Sequence, residues 1–345
     1  MDQPCMKRPN FFTHAICVWL VVVSYLTTGR ADNGGTFNTV RVDGRNYVNL
    51  ADFVRFYEFD KNWQQNNMSV SLKSKYKWKK CQFTINSREC LINGIRIWLN
   101  ESPLEYRNSI LLPEVDVLKT LDPILRSWAI PEQNVKTIMI DPGHGGEDQG
   151  AQSSRATEKR LTLDLAARVE KLLREEGFRT LMTRRSDTYV SLEDRSELAN
   201  ASEADVFLSL HFNSAKPSSQ PKGIETYCLT PVGLSSTGSI RRRLGIGDFG
   251  EEPGNRFDQH NMLLAYLIHQ KLLATIPEAE DRGIKRARFF VIKAVEHPSI
   301  LVENGFLSNP TEEKQILSSL YRDRLAAGIV AGVKRYSEIM NGSSK

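Results

Sequence analysis

The stretch IMIDPGHGGEDQG, residues 138–150, decides how the fold is read. Ile138, Met139 and Ile140 have the apolar continuity of a buried strand, and Asp141 to Gly146 then break that continuity abruptly. Gly143, Gly145 and Gly146 free the backbone to turn sharply and bring His144 close to another part of the chain. A strand that ends in a glycine-rich turn carrying a histidine is a feature of an open α/β sheet, whose sites lie at strand ends.

Downstream, strand-like and helix-like segments alternate. A helix is predicted from Glu158 to Glu176, with Leu161, Leu165, Val169, Leu172 and Leu173 at helical spacing. FRTLMTR (178–184), a helix over LEDRSELANA (192–201), and the strands DVFLSLHF (205–212) and GIETYCL (223–229) follow. After a loop over 231–254, rich in Gly, Ser and Arg, a helix is expected from Phe257 to about Thr275. RFFVI (288–292) and SILVEN (299–304) read as further buried strands, and two helices close the chain. The alternation predicts an α/β fold, with a mostly parallel sheet flanked by helices on both faces.

Upstream, the pattern differs. Lys7 and Arg8 precede the apolar run FFTHAICVWLVVVSYL, and Gly29 and Ala31 supply the small residues of a cleavage site. Residues 1–31 therefore read as a cleaved export signal, with an uncleaved anchor as the competing reading. With 40% hydrophobic and 25% charged residues the remainder is ordinary for a globular protein, and 345 residues leave room for two domains. Removal of Lys7, Arg8, Arg30 and Asp2 with the signal lowers the net charge from +5 to +3, too small to argue for nucleic acid, although Arg241, Arg242 and Arg243 cluster.

A polar linker over residues 32 to about 38 leads into a small α+β domain over 39–126. Its short alternating runs include the hairpin signal Asn93-Gly94. RNYVNLADFV and RNSILLPEVDVL each run from Arg-Asn through a strand-like piece into a helix start, an internal pseudo-repeat. This region resembles the copper amine oxidase N-terminal-like domain found beside cell-wall enzymes. It contains no histidine, so no copper is assigned to it. If Asn86 and Ser87 make the turn in CQFTINSREC, Cys90 lies opposite Phe83 and only diagonal to Cys81, which predicts that the two are not bridged. A boundary is expected near 127–135, with the larger domain over 135–341.

Three strand ends in that larger domain carry chemistry: His144 after IMID, His211 after DVFLSL, and Glu303 after SILV. Glu158 opens the helix that follows the glycine turn and so shares its rim. Two imidazoles and a carboxylate make the ligand set of a hydrolytic zinc site with a fourth position open. Each residue also has an ordinary reading, a packed histidine, an acid favoured in a first helical turn, or a strand-end acid. Glu147 and Asp148 offer alternative carboxylates directly after the glycines.

Taken together, IDPGHGG, the ATEKR helix start, TRRSDTYVSLEDRSELAN, ADVFLSLHFN, DRGIKRARFFVI and SILVENGFLSN resemble the zinc-dependent N-acetylmuramoyl-L-alanine amidases, over residues 136 to about 320. The resemblance implies that His144, Glu158 and His211 hold one zinc ion, that Glu303 is the catalytic acid/base, and that Asn213 contacts substrate. Arg195 and Asn200 also match, with packing and capping as their expected roles. The remaining histidines, His260, His269 and His297, are not needed for the site.

The implied reaction is hydrolysis of the amide between N-acetylmuramic acid and L-alanine in peptidoglycan, in the periplasm or elsewhere in the cell envelope. Peptidoglycan and a protein activator are the implied partners, with no nucleic acid and no membrane span once the signal is gone. In relatives a helix inserted near the metal can block the site, and 231–254 is the segment placed to do so here. Two other readings compete: a zinc peptidase acting on the stem peptide, and a non-catalytic wall-binding protein. A serine mechanism is disfavoured because no GxSxG elbow occurs.

Overall fold

The computed structural model describes residues 26–30, 36–60, 64–66, 68–74, 79–237 and 249–342. The apolar core of the expected export signal, most of the expected linker, and Arg241 to Arg243 lie outside the described residues.

The amino-terminal unit contains two groups of strands. β1 (Leu26–Arg30), β2 (Thr36–Val42) and β3 (Arg45–Asn49) form an antiparallel meander, so strand already occupies the last residues of the stretch expected to be export signal and the end of the expected linker. Helix α1 (Leu50–Phe56) follows at once, because the Asn49 side chain accepts the Ala51 amide and caps it. β4 (Gln64–Asn66), β5 (Ser69–Lys73), β6 (Lys80–Thr84), β7 (Glu89–Ile92) and β8 (Ile95–Trp98) make a second antiparallel run. β9 (Leu104–Tyr106) and β10 (Ser109–Pro113) then return to the first sheet. From β10 the chain enters α2 (Glu114–Asp116), a π-helical turn over Val117–Leu121, and α3 (Asp122–Leu125).

The two sequence repeats are thus two strand-to-helix units. Their strands pair antiparallel, with Leu111 opposite Asn49. The Asn93-Gly94 turn joins β7 to β8 with φ of 50° and 84°, the left-handed geometry such a hairpin requires. Phe83 lies opposite Cys90, and Cys81 opposite Ile92, which is the register expected from the sequence. Both thiols are buried and free.

In the larger unit the strands are β11 (Thr137–Pro142), β12 (Arg179–Met182), β13 (Val206–Asn213), β14 (Ile224–Leu229), β15 (Asp281–Ala287) and β16 (Ser299–Phe306). They run in the order β12-β11-β13-β16-β14-β15, all parallel neighbours except that β14 is antiparallel to β16. Helices α4 (Glu158–Glu175), α5 (Leu192–Asn200), α6 (Asp258–Thr275), α7 (Phe290–Lys293), α8 (Pro310–Ile316) and α9 (Ser319–Met340) complete it. Side chains of β11 alternate between two cores: Ile138 and Ile140 join the cluster containing α4, α6 and α9, whereas Met139 joins Ala199, Val291 and Leu301 on the face covered by α5 and α7. α9 approaches α6 closely at Gly332, where a Cβ would lie 2.5 Å from the Ile268 Cα.

One expected strand is corrected. RFFVI is not a strand: the strand is Asp281–Ala287, and Phe290–Lys293 is a short helix. The charges of DRGIKRA hide the strand, because Arg282 and Lys285 pair with Glu225, and buried Arg286 donates to the Leu229 and Lys119 carbonyls. An apolar run of four or five residues fits one helical turn as well as a strand, and here Val291 and Ile292 bury against the sheet.

The two units share one sheet. β8 pairs in parallel with β15, Ile97 against Ile284, producing eleven strands in continuous order from β12 to β4. Arg96 and Trp98 reinforce the seam by donating to the Asp281 carboxylate (2.8 Å) and the Arg282 carbonyl (2.9 Å). The larger of the two buried apolar clusters is contiguous across both units. Among the described residues no helix is long and apolar enough to cross a membrane.

Candidate metal centre

Glu158 is the centre of the site. It is 4% exposed, and each carboxylate oxygen has two partners. Oε1 accepts from the Phe212 amide at 3.0 Å and lies 3.0 Å from His211 Nδ1. Oε2 accepts from the Ala151 amide at 2.7 Å and lies 3.1 Å from His144 Nε2. Burial would raise the Glu158 pKa, but its hydrogen bonds to His144 and His211 hold it far below the usual carboxylate range.

The local chain explains how His144 and His211 arrive there. His144 has φ of 62°, an uncommon left-handed backbone for a residue other than glycine. Reciprocal backbone bonds between Gly145 and Asp148 close the turn, and Arg195 Nη2 donates to the His144 carbonyl at 2.7 Å. Asp148 Oδ2 lies 2.8 Å from His144 Nδ1, which leaves Nε2 facing Glu158. Burial works against protonation of His144, and the Glu158 and Asp148 carboxylates overcome it and raise its pKa. His211 lies near the end of β13 beside a register shift at His211/Asn213, and Asn304 Nδ2 holds its carbonyl at 3.1 Å. Gly143 leaves room for the ring: a Cβ there would lie 2.2 Å from His211 Cε1.

Donor atoms of His144, Glu158 and His211 all lie within 4.8 Å of one another. Two ring nitrogens and a carboxylate oxygen converging at one point, with a second carboxylate orienting one ring from behind, fit a divalent ion of the zinc type. Neither Glu147 nor Asp148 takes the place of Glu158 in this group, and Asp148 instead sits behind His144.

Glu303 lies opposite His211 on the neighbouring strand β16, which continues past it to Phe306. Its Oε2 is enclosed and has no hydrogen-bond partner among the described residues. Burial pushes its pKa well up, and the negative charges of Glu158 and Glu225 add to this against the opposing Lys285. Glu303, His144, Glu158, His211 and Asn213 line one cavity of about 400 Å³.

Arg195 and Asn200 have different roles. Asn200 packs α5 against the turn after α7, donating to the Ala294 carbonyl and accepting from the Glu296 amide. Arg195 caps nothing: it is buried, pairs with Asp141 at 2.5 Å and donates to the Pro142 carbonyl as well as to that of His144. Asp141 also accepts from Thr183 (2.6 Å) and Ser209 (2.8 Å), and Arg184 donates to the Pro142 and Gly143 carbonyls. This web around the turn was not read from the sequence, and neither was Asp148 as an orienting group, although its place four residues after His144 was a usable signal. His260, His269 and His297 lie elsewhere, bonded to Tyr336, Thr226 with Asp281, and the Ala199 carbonyl.

The profile of the N-acetylmuramoyl-L-alanine amidase family matches residues 138–335, more than half of the chain and all the residues of this site. The chain belongs to that family. The chain is 35% identical over 201 residues to the N-acetylmuramoyl-L-alanine amidase LytC of Bacillus subtilis, covering 58% of this chain and 35% of that protein. It is 34% identical over 218 residues to the amidase AmiC of Escherichia coli, covering 58% of this chain and 52% of the relative. It thus spans between about a third and a half of the length of these two curated relatives. A crystal structure of an N-acetylmuramoyl-L-alanine amidase from Clostridium difficile is 35% identical and superposes with a TM-score of 0.48, over 59% of this chain and 97% of that one.

Proposed function

We propose that this chain hydrolyses the amide joining the lactyl group of N-acetylmuramic acid to L-alanine in peptidoglycan, with one zinc ion held by His144, Glu158 and His211. The observation that carries this reading is the unpartnered, enclosed Oε2 of Glu303 in the same cavity as the three converging donors. Zinc in such a set supplies Lewis acidity, which makes water more acidic and polarises a carbonyl.

The chain's own residues supply the rest. Glu303 takes a proton from the attacking water and delivers it to the nitrogen of the departing L-alanine. Burial and the neighbouring carboxylates raise its pKa, which makes the Glu303 carboxylate a stronger proton acceptor and lets it hold the proton until the nitrogen departs. Asp148 keeps His144 turned with Nε2 forward, and Asn213 offers the substrate a polar contact at the cavity edge. Such a substrate places the protein outside the inner membrane, consistent with the export signal read at residues 1–31.

The test is to incubate the protein with purified peptidoglycan, with and without a chelator, and identify the fragments. Release of intact stem peptide that stops with chelator is expected, and shortened peptide would instead make the protein a stem-peptide peptidase. Glu303→Gln should lower turnover by about 10²–10⁴-fold while the protein still retains zinc. A fully active Glu303→Gln enzyme would overturn the role.

A further inference from the structure

The cavity is lined by two unlike sets of side chains. Tyr189, Leu192 and Phe289 line it and are 54%, 51% and 41% exposed, three of the nine large hydrophobic side chains exposed among the described residues. They belong to one wall. Tyr189 and Leu192 stand at the start of α5, Phe289 precedes α7, and these two helices pack together beneath them on one face of the sheet. The wall is held in place from behind: the Phe289 ring meets Tyr227 edge-on at 5.1 Å, and a Cβ on Gly146 would lie 2.6 Å from the Tyr189 amide nitrogen. At the end of β13, Asn213 and the following Ser214 bring amide and hydroxyl groups to the same cavity.

Exposed aromatic side chains gathered at one cavity mark a place where a ligand covers them. Resting on the amidase reading, the two halves of the substrate differ in what they need. A pyranose ring presents faces of C–H groups, and N-acetylmuramic acid adds acetyl and lactyl methyls, all of which suit aromatic rings. The stem peptide presents amides and carboxylates, which need hydrogen-bonding partners.

We infer that the Tyr189–Leu192–Phe289 wall is the sugar side of the cleft, so that the glycan lies over α5 and α7 and the stem peptide leaves past Asn213 and Ser214. Tyr189 and Phe289 are then specificity-determining residues. They bind the saccharide and take no part in proton transfer.

The test compares the full-length protein with its Tyr189→Ala/Phe289→Ala double variant, titrated by NMR with two probes. One is the disaccharide N-acetylglucosaminyl-N-acetylmuramic acid, and the other is a free peptide beginning L-alanyl-D-glutamyl. Affinity of the double variant for the disaccharide should fall by roughly tenfold, and affinity for the peptide should stay within about twofold. A Tyr189→Phe/Phe289→Tyr variant, which keeps both rings, should bind the disaccharide like the parent. The inference fails if the peptide is the probe that weakens, if both weaken alike, if neither changes, or if the parent shows no saturable disaccharide binding. Peptidoglycan digestion by the same parent preparation reports separately on the amidase reading, since release of stem peptide there is unaffected by which wall holds the sugar.

Discussion

At the scale of single residues, the site depends on a backbone that does not hold its shape unaided. His144 adopts a left-handed conformation in a turn between two glycines, and Arg195 joins its carbonyl to Pro142 and to the buried Asp141 carboxylate. Removing that guanidinium leaves Asp141 buried without its charge partner, a loss of about 3–5 kcal/mol for a pair so enclosed. Arg195→Met is therefore expected to lower the melting temperature. It should also weaken zinc binding by about 10–100-fold in a chelator-competition titration, because groups that orient a ligand from behind have effects of that size. An unchanged zinc affinity would show that the turn holds His144 without Arg195. The sequence exposes His144 and Glu158 because a glycine turn and a helix start are local features, and His211 because it ends an apolar run. It marks Arg195 only through the family resemblance and does not expose its role, because its partners Asp141 and His144 lie more than fifty residues away, on the far side of an intervening helix and strand.

At the scale of elements, helical periodicity was the most readable signal. Expected and observed bounds of α4 agree to within one residue at its carboxyl end, since Leu161, Leu165, Val169 and Leu173 all bury on one face. Strand β15 was hidden by its own charges, which are neutralised by Glu225 on β14, a neighbour unknowable from local sequence. The packing of α6 on α9 makes a separate prediction through His260, whose Nδ1 meets the Tyr336 hydroxyl at 2.9 Å. Burial lowers the His260 pKa from 6.5 to about 4, so the folded protein keeps this imidazole neutral while the unfolded chain protonates it as the pH falls below 6.5. Stability from this group is complete above pH 6.5 and declines between 6.5 and 4, by about 3 kcal/mol in all. Denaturant titrations of the parent and of His260→Gln should show the parent losing more stability than the variant across that interval. Parallel pH profiles would contradict the assignment.

At the scale of the whole molecule, the sequence suggests two domains joined at a polar boundary, whereas the structure carries one sheet across both. The seam is a single parallel pairing, Ile97 with Ile284, supported by Arg96, Trp98 and the Arg286 bond to the Lys119 carbonyl. Such edge-to-edge pairing has no local sequence signal, because each strand reads as an ordinary edge until the other is present. A core continuous across the seam should unfold as one unit. Scanning calorimetry of the full-length chain is expected to show one transition, and deletion of residues 36–126 should lower it and promote aggregation through the uncovered β15 edge. Two well-separated transitions in the intact chain would mean that the units are energetically independent.

All the chemistry proposed for the molecule rests on one divalent ion gathered by His144, Glu158 and His211. Isothermal titration of the chelator-stripped protein with zinc tests this most directly, run in parallel on Glu158→Ala and on His211→Ala. One tight zinc ion per chain, lost in both variants while their far-ultraviolet circular dichroism stays like the parent's, is the expected result. No tight binding by the parent, or binding that survives in the variants, would contradict it.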